Sequence, residues 1–294
     1  MSHANPGIHH VTLGDATVTA LNDGQFDADV ADVTGLPAAE AEAMLRDSFR
    51  IVPPRITVSC FLVRMGGRTI LVDAGAGGAM GHVLGHAKDK LTALGVAPAS
   101  VDTLLITHAH VDHVNGLLDG AGGALFPNAE LVISAAETGF WLNKDIEAKA
   151  PDAAKPYFGI AQRALAPYAA RTRLVKDGDE VLPGVTAVHL PGHTPGHTGF
   201  RIASGDATML IWGDVVHLPG LQFAQPVAGM AFDIDGDLGR ATRARAMDMV
   251  ATDRMLLAGM HLDFPTFGHV RRAGTGYAFE PMVWAPTESG LFGG

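Results

Sequence analysis

The segment Thr107-His108-Ala109-His110-Val111-Asp112-His113 packs three imidazoles and a carboxylate into the six residues from His108 to His113. Left alone, such a cluster would crowd and repel as it protonated. A divalent cation turns the same crowding into coordination. The apolar run Leu104-Leu105-Ile106 comes just before it. The donors therefore sit where a buried strand ends, and the strand can hold them in place.

Three later segments repeat this strand-then-donor pattern. Leu190-Pro191-Gly192-His193-Thr194-Pro195-Gly196-His197-Thr198 sets a histidine in a Gly/Pro turn. Ile211-Trp212-Gly213-Asp214 ends an apolar strand on a carboxylate, and Gly259-Met260-His261 follows the apolar run Met255–Ala258. Singly, His193, Asp214 and His261 are weak signals. Their recurrence in one pattern points to one metal centre. Other histidines read differently. His82 and His86 have helical spacing, but Gly81 and Gly85 interrupt a helix there, so a loop is expected. His9 and His10 fall on an N-terminal strand and read as structural or solvated. His269 follows His261 closely, and the sequence leaves it open between lining a pocket and supporting a ligand.

The elements that must position these groups alternate along the chain. Strands are expected at Val11–Leu21, Thr57–Met65 and Thr69–Asp73, with Asp23-Gly24 and Gly66-Gly67 as turns. Pro37–Phe49 has helical character. Lys88–Leu94 reads as helix, Thr103–Thr107 and Glu130–Ser134 as strands, and Ala135–Ala150 and Lys155–Tyr168 as helices. A second strand-rich block spans Arg173–Val175, Thr186–Leu190, Thr198–Ile202 and Met209–Trp212. Asp237 caps a helix over Leu238–Ala251, and Met255–Ala258 is a final core strand. Strand-rich blocks in both halves, each trailed by helices, predict two packed sheets with helices outside, in one domain.

Composition narrows the function classes. The chain of 294 residues is 47% hydrophobic and 18% charged, so it can bury a sizeable core. A net charge of −10 disfavours a nucleic-acid partner. Cys60 is the only cysteine and lies in the apolar run Val58–Val63. A cysteine-rich zinc site is excluded, and Cys60 reads as a small buried hydrophobe. The start, MSHANPGIHH, lacks a basic region followed by an apolar core, and no apolar run is long enough to span a bilayer. The expectation is a cytoplasmic protein with no membrane partner.

The ordered set HxHxDH, GHTPGH, GD and a late His resembles the metallo-β-lactamase superfamily, with matches from Asp73 to His261. That resemblance implies an α/β fold, the metallo-β-lactamase αββα four-layer sandwich over residues 1–294, with metals at one edge of its two sheets. Leu71-Val72-Asp73-Ala74-Gly75 resembles the family's first motif, in which Asp73 would orient ligands without binding metal itself. Carried over, His108, His110 and His193 would hold one ion, Asp112, His113 and His261 the other, and Asp214 would bridge. His197 has no ligand role in that pattern. Trp212–Pro219, Leu221-Gln222-Phe223 and Gly259–Pro265 narrow the resemblance to the branch containing methyl parathion hydrolase and related lactonases.

The branch implies a hydrolase of lactones, aryl esters or organophosphate triesters that uses a hydroxide shared by two divalent ions. Zinc is the first expectation for those ions, and cobalt, manganese and iron also suit His and carboxylate donors. Asp112 would take the nucleophile's proton and pass it to the leaving group. His217 stands where related lactonases carry a Tyr that stabilises the oxyanion, which implies that role for His217. Phe223, Phe232 and Phe264, with Phe140 and Trp141, are candidates for an apolar pocket. No Lys or Arg cluster is available to clamp an anion, so a small neutral hydrophobic substrate is expected. The oligomeric state stays open, with a homodimer among the alternatives.

Competing readings are a β-lactam or phosphodiester hydrolase of the same fold and a non-catalytic metal-binding protein. An oxygen- or nitric-oxide-reducing di-iron protein would carry a carboxylate where His110 stands. A nuclease would show a basic surface and an added domain. A glutathione-thioester hydrolase would need a helical domain beyond His261, where only residues 262–294 remain.

Overall fold

The computed structural model describes residues 6–284. One seven-stranded sheet runs in the order β1 (Ile8–Leu13), β2 (Ala16–Asp27), β4 (Arg55–Met65), β5 (Arg68–Val72), β6 (Thr103–Ile106), β7 (Glu130–Ser134) and β8 (Thr172–Val175). The other, also seven-stranded, runs β16 (Gly276–Pro281), β15 (Phe267–Ala273), β14 (Leu256–Ala258), β12 (Ala207–Ile211), β11 (Thr198–Ser204), β10 (Val185–His189) and β9 (Glu180–Leu182). A short ribbon pairs β3 (Val33–Thr34) with β13 (Gly229–Met230).

Apolar residues of both sheets meet in one layer. Phe61, Val63, Ile70, Val72 and Leu105 face Phe200, Ile202, Met209, Ile211 and Ala258. The alternate residues of the first sheet, including Leu104, Ile106, Leu131 and Ile133, pack under α2 (Ala87–Ala93) and α6 (Lys155–Leu165). Leu210, Trp212 and Leu257 of the second sheet pack under α8 (Gly236–Thr252) through Ala246, Met247 and Val250. The result is the αββα sandwich expected from the sequence. β6 and β7 are buried on both faces, which explains their unbroken apolar runs.

Strand direction brings the donors to one edge. β5, β6, β7 and β8 are mutually parallel, as are β12 and β14. The C-terminal ends of β5 and β6 therefore lie side by side, and so do those of β12 and β14. β10 is antiparallel to β11, which is antiparallel to β12, so β10 ends at the same edge. Open α/β sheets place their sites at such strand ends for this reason. The sheets are stitched there by the backbone bonds Thr198 N–H to Thr107 C=O (2.9 Å) and Ser59 N–H to Met260 C=O (2.9 Å).

Several local expectations need correction. Val11–Leu21 is a hairpin: Gly14 turns between β1 and β2 at φ 56°, and a Cβ there would meet Ser204 O at 2.3 Å. Asp23-Gly24 is no turn. β2 continues through it with a register shift, and its Gly24 presses against Val83 O. Asp23 is instead a buried carboxylate that accepts from the backbone N–H groups of Ala76, Gly85 and Ala87. The helix expected at Ala135–Ala150 breaks into α4 (Ala135–Trp141) and α5 (Lys144–Lys149), because Asn143 caps the second. Asp235, not Asp237, caps α8 by accepting from Leu238 N–H. The hairpin β15–β16 was not anticipated. Among the described residues the remaining α-helices are α1 (Ala38–Asp47), α3 (Val111–Val114) and α7 (Pro219–Gln222). Among the described residues, no helix is long and apolar enough to cross a membrane.

Candidate metal centre

The side chains of His108, His110, Asp112, His113, His193, Asp214 and His261 converge at the strand-end edge. Three nitrogens form one corner: His108 Nε2 lies 3.1 Å from His110 Nδ1 and 3.2 Å from His193 Nε2, and His110 Nδ1 lies 2.8 Å from His193 Nε2. Asp112, His113 and His261 form the opposite corner, with His113 Nε2 at 3.4 Å and His261 Nε2 at 3.6 Å from Asp112 Oδ2. Asp214 Oδ2 lies between the corners. It is 3.5 Å from His108 Nε2, 3.3 Å from His193 Nε2, 3.3 Å from His113 Nε2 and 2.9 Å from His261 Nε2.

The far nitrogens show which atoms face inward. Thr107 Oγ1 donates to Asp73 Oδ2 (2.7 Å), so its 3.0 Å contact with His108 Nδ1 must be an imidazole N–H donating to the hydroxyl. His113 Nδ1 meets Asp73 Oδ2 at 2.7 Å, His193 Nδ1 meets Asp233 Oδ1 at 2.8 Å, and His261 Nδ1 meets the Thr57 carbonyl at 2.7 Å. Each of these four rings commits Nδ1 to an outer partner and turns Nε2 toward a buried carboxylate. His113 Nε2 and Asp214 Oδ1 are buried without any hydrogen-bond partner. An inward-facing cage of acceptors needs cations, and these residues fit divalent metal ions.

The electrostatics agree. Burial opposes charge on His113, yet Asp214, Asp112 and Asp73 raise its pKa well above the ordinary value. Burial likewise opposes protonation of His193, but Asp214 and Asp233 outweigh it and raise the pKa to about 9. Against burial, His113, His261 and His108 hold the Asp214 carboxyl well below its usual range, and His113 and His261 do the same for Asp112. His108 and His110 are driven well below the ordinary value, first by burial and then by neighbouring imidazoles. The cluster thus attracts positive charge without room for a proton on every ring.

Asp73 is the support expected from the Leu71–Gly75 motif. It sits at φ 57°, a left-handed conformation that Asp tolerates better than most residues. From there one carboxylate accepts from Thr107 N–H, Thr107 Oγ1 and His113. Asp73→Asn is expected to weaken metal binding roughly 10–100-fold by misaligning His113. Competition with a metallochromic chelator measures this, and unchanged affinity would remove Asp73 from that role.

His197 lies 2.8 Å below the Asp214 backbone. Its Nε2 accepts from Asp214 N–H and its Nδ1 donates to Leu190 C=O (2.7 Å). Both nitrogens are committed, and burial first, then His193, lowers its pKa to about 3. It is a neutral bracket under the central carboxylate. His217 Nε2 faces Asp214 Oδ2 at 3.2 Å, its ring stacks on His261, and its Nδ1 is buried and unpartnered. Burial lowers its pKa to about 4 despite Asp214.

The candidate aromatics divide. Phe232 lies 4.9 Å from the His217 ring and Trp141 packs edge-on to His110 at 5.5 Å. Phe223 stacks between Trp212 and Phe279 in the outer core, and Phe140 packs on Trp141 and Phe158. Phe264 packs against the layer between the sheets. His269 is exposed on β15 and bonds only the Met255 carbonyl, so it neither lines the site nor supports a donor. His82 and His86 lie on a short 3-10 turn and the loop after it, and His9 and His10 lie on β1. Two supporting carboxylates went unread in the sequence. Asp233 holds His193, and buried Glu137 on α4 accepts from both donor loops. Each is a lone acid among unremarkable neighbours, and no spacing marks it.

Comparison with known proteins matches this arrangement to a family. The metallo-beta-lactamase superfamily profile fits residues 53–261. The structure of the hydrolase AbOPH, described as in the beta lactamase superfamily, is 31% identical and superposes with a TM-score of 0.90, covering 95% of this chain and 99% of that one. AidC, described as a dizinc quorum-quenching lactonase in complex with the product N-hexnoyl-L-homoserine, is 24% identical with a TM-score of 0.89 over 95% of this chain and 99% of its own. The uncharacterized protein YobT of Bacillus subtilis (strain 168) is 29% identical over 168 residues, 57% of this chain and 66% of YobT. The chain spans about two thirds or less of the curated relatives it matches. With the profile covering most of its length and the donor cage at the sandwich edge, this chain belongs to the metallo-beta-lactamase superfamily of metal-dependent hydrolases.

Proposed function

We propose that the protein is a binuclear hydrolase of lactones, aryl esters or organophosphate triesters. The observation that carries this is Asp214 Oδ2, centred among imidazole Nε2 atoms at 2.9–3.5 Å, with one three-donor corner on each side. His108, His110 and His193 would hold one ion, Asp112, His113 and His261 the other, and Asp214 both. Two divalent ions in these positions, zinc being the first choice, supply Lewis acidity and a hydroxide nucleophile at neutral pH. The likeness to AbOPH, a hydrolase, and to AidC, a dizinc lactonase, supports this class.

The chain's own groups then have distinct tasks. Asp112 stands at the rim with its side chain 13% exposed, so its carboxylate is placed to take a proton and hand it to the leaving group. His217 is neutral and has one N–H, which on Nε2 reaches Asp214. When cations occupy that oxygen's lone pairs, the same N–H is free for a developing oxyanion. Phe232 and Trp141 give the surroundings apolar surface. The nearby cation Arg243 is buried and spent on the carbonyls of Val215, Pro226 and Ala228. A neutral, hydrophobic substrate suits this setting better than a charged one.

The test is steady-state kinetics on an acyl-homoserine lactone, dihydrocoumarin, a nitrophenyl ester, methyl parathion and a β-lactam. Lactones and aryl esters should lead, with the phosphotriester slower. A clear preference for the β-lactam, or for an added charged phosphodiester, would reject the substrate class. His217→Ala should lower kcat roughly 10²–10³-fold with a smaller change in KM, as removal of a contact made chiefly in the transition state does. An equal fall in bound metal would instead make His217 a prop for Asp214.

A further inference from the structure

The rings of the centre are not all held in the same way. His108, His113, His193 and His261 each have their outer nitrogen anchored by a side chain or a carbonyl. His110 faces inward through Nδ1, and no acceptor among the described residues holds its Nε2. Its placement has to come from its backbone and from the ring beside it. Both lead to one atom. Glu137 Oε1 accepts from Ala109 N–H at 2.8 Å, between the two histidines of the first loop, and from Trp141 Nε1 at 2.7 Å, the indole that packs on His110.

The other oxygen of the same carboxylate reaches the second loop. Glu137 Oε2 accepts from Thr194 Oγ1 at 2.6 Å and Gly196 N–H at 3.0 Å, just after His193. Gly196 makes this approach feasible, since a Cβ there would lie 2.1 Å from the Glu137 backbone nitrogen. A fully buried carboxylate with four donors and no cation of its own ties His110 to His193, whose facing nitrogens are 2.8 Å apart. The opposite corner rests on other supports, Asp73 under His113 and the Thr57 carbonyl under His261.

We propose that Glu137 is the positioning residue for one half of the centre, the corner of His108, His110 and His193, and that the corner of Asp112, His113 and His261 is built independently of it. This rests on the ligand roles proposed above. It predicts that the two metal positions can be weakened separately through residues that touch neither ion.

The experiment is titration of metal-free protein with Zn²⁺ and, in parallel, Co²⁺ followed by absorption spectroscopy. Wild type, Glu137→Gln, Trp141→Phe and His110→Ala are compared. Gln offers one acceptor oxygen and turns an NH₂ toward donors, so it can serve only one of the two loops. Glu137→Gln should keep one ion near wild-type affinity and bind the second roughly 10–100-fold more weakly, the usual size of an indirect ligand contact. Trp141→Phe keeps the ring and loses the hydrogen bond, and should weaken the same ion several-fold. The Co²⁺ bands lost should be those lost in His110→Ala. Equal weakening of both ions, or wild-type binding by both Trp141→Phe and Glu137→Gln, would overturn the proposal. If Glu137→Gln does not fold, Trp141→Phe decides alone. A wild type that binds no metal would instead overturn the ligand roles.

Discussion

Asp214→Ala is expected to abolish most activity, by about 10³-fold or more in kcat/KM, and to strip metal at the same time. The magnitude follows from the position of one oxygen. Asp214 Oδ2 is within 3.5 Å of Nε2 on His108, His113, His193, His217 and His261, and it is the anion shared by both corners. Losing one aimed electrostatic contact in an active site costs roughly 10²–10³-fold, and this carboxylate serves two ions. His197→Ala is the matched control. It leaves Asp214 N–H and Leu190 C=O without their partner, which should cost about 1–3 kcal/mol of stability while metal is largely retained. Elemental analysis and thermal melts on both variants separate the roles. If the two behaved alike, the distinction between donor and bracket would be wrong.

Metal removal should have the second large effect. Protein purified without chelator should carry close to two divalent ions per chain, and exhaustive chelation should remove activity and lower Tm by on the order of 10 °C. A ligand that binds only the folded state stabilises it by about 4 kcal/mol when present at a thousandfold its Kd. A chain of this size shifts by a few degrees per kcal/mol. The acceptor cage adds to the effect. Without cations, the Nε2 atoms of His108 and His193 are left crowded at 3.2 Å beside the buried Asp214 carboxylate. Re-addition of Zn²⁺ should restore both readouts. Full activity after chelation, or a loaded protein with a single ion, would reject the two-ion centre.

Much of the centre was legible because each donor follows an apolar strand. Ile106 to His108, Ile211 to Asp214 and Ala258 to His261 are short steps from β6, β12 and β14, so sequence order and spatial convergence coincide. Asp73 was legible for the same reason. Glu137 and Asp233 were not. Each reaches the site from a helix or a loop, and its contacts with the donor loops lie 28 to 59 residues away for Glu137 and 40 residues away for Asp233. The breaks in the fold were hidden by local chemistry. Alternation through Val11–Leu21 conceals the turn at Gly14-Asp15. Helix-forming composition through Ala135–Ala150 conceals the stop at Leu142, where Asn143 begins a new helix. The hairpin β15–β16 does alternate, with Val270 and Phe279 packed inward and Arg271 and Glu280 outward. Phe223 was misplaced because nearness in sequence to the donor motifs does not fix which way the residue after α7 packs.

The bond from His261 to the Thr57 carbonyl joins residues 204 positions apart. A contact of that span closes a very long loop, and such contacts are late events on a folding route. His108, His110, Asp112 and His113 leave the ribosome well before His261 does. A growing chain can therefore expose a partial, loosely held set of donors for most of its synthesis. The second corner closes only once β14 and the His261 that follows it have been made. The time at which the donor cage can close is thus set by the arrival of β14 in the second sheet, however early its first four donors are made.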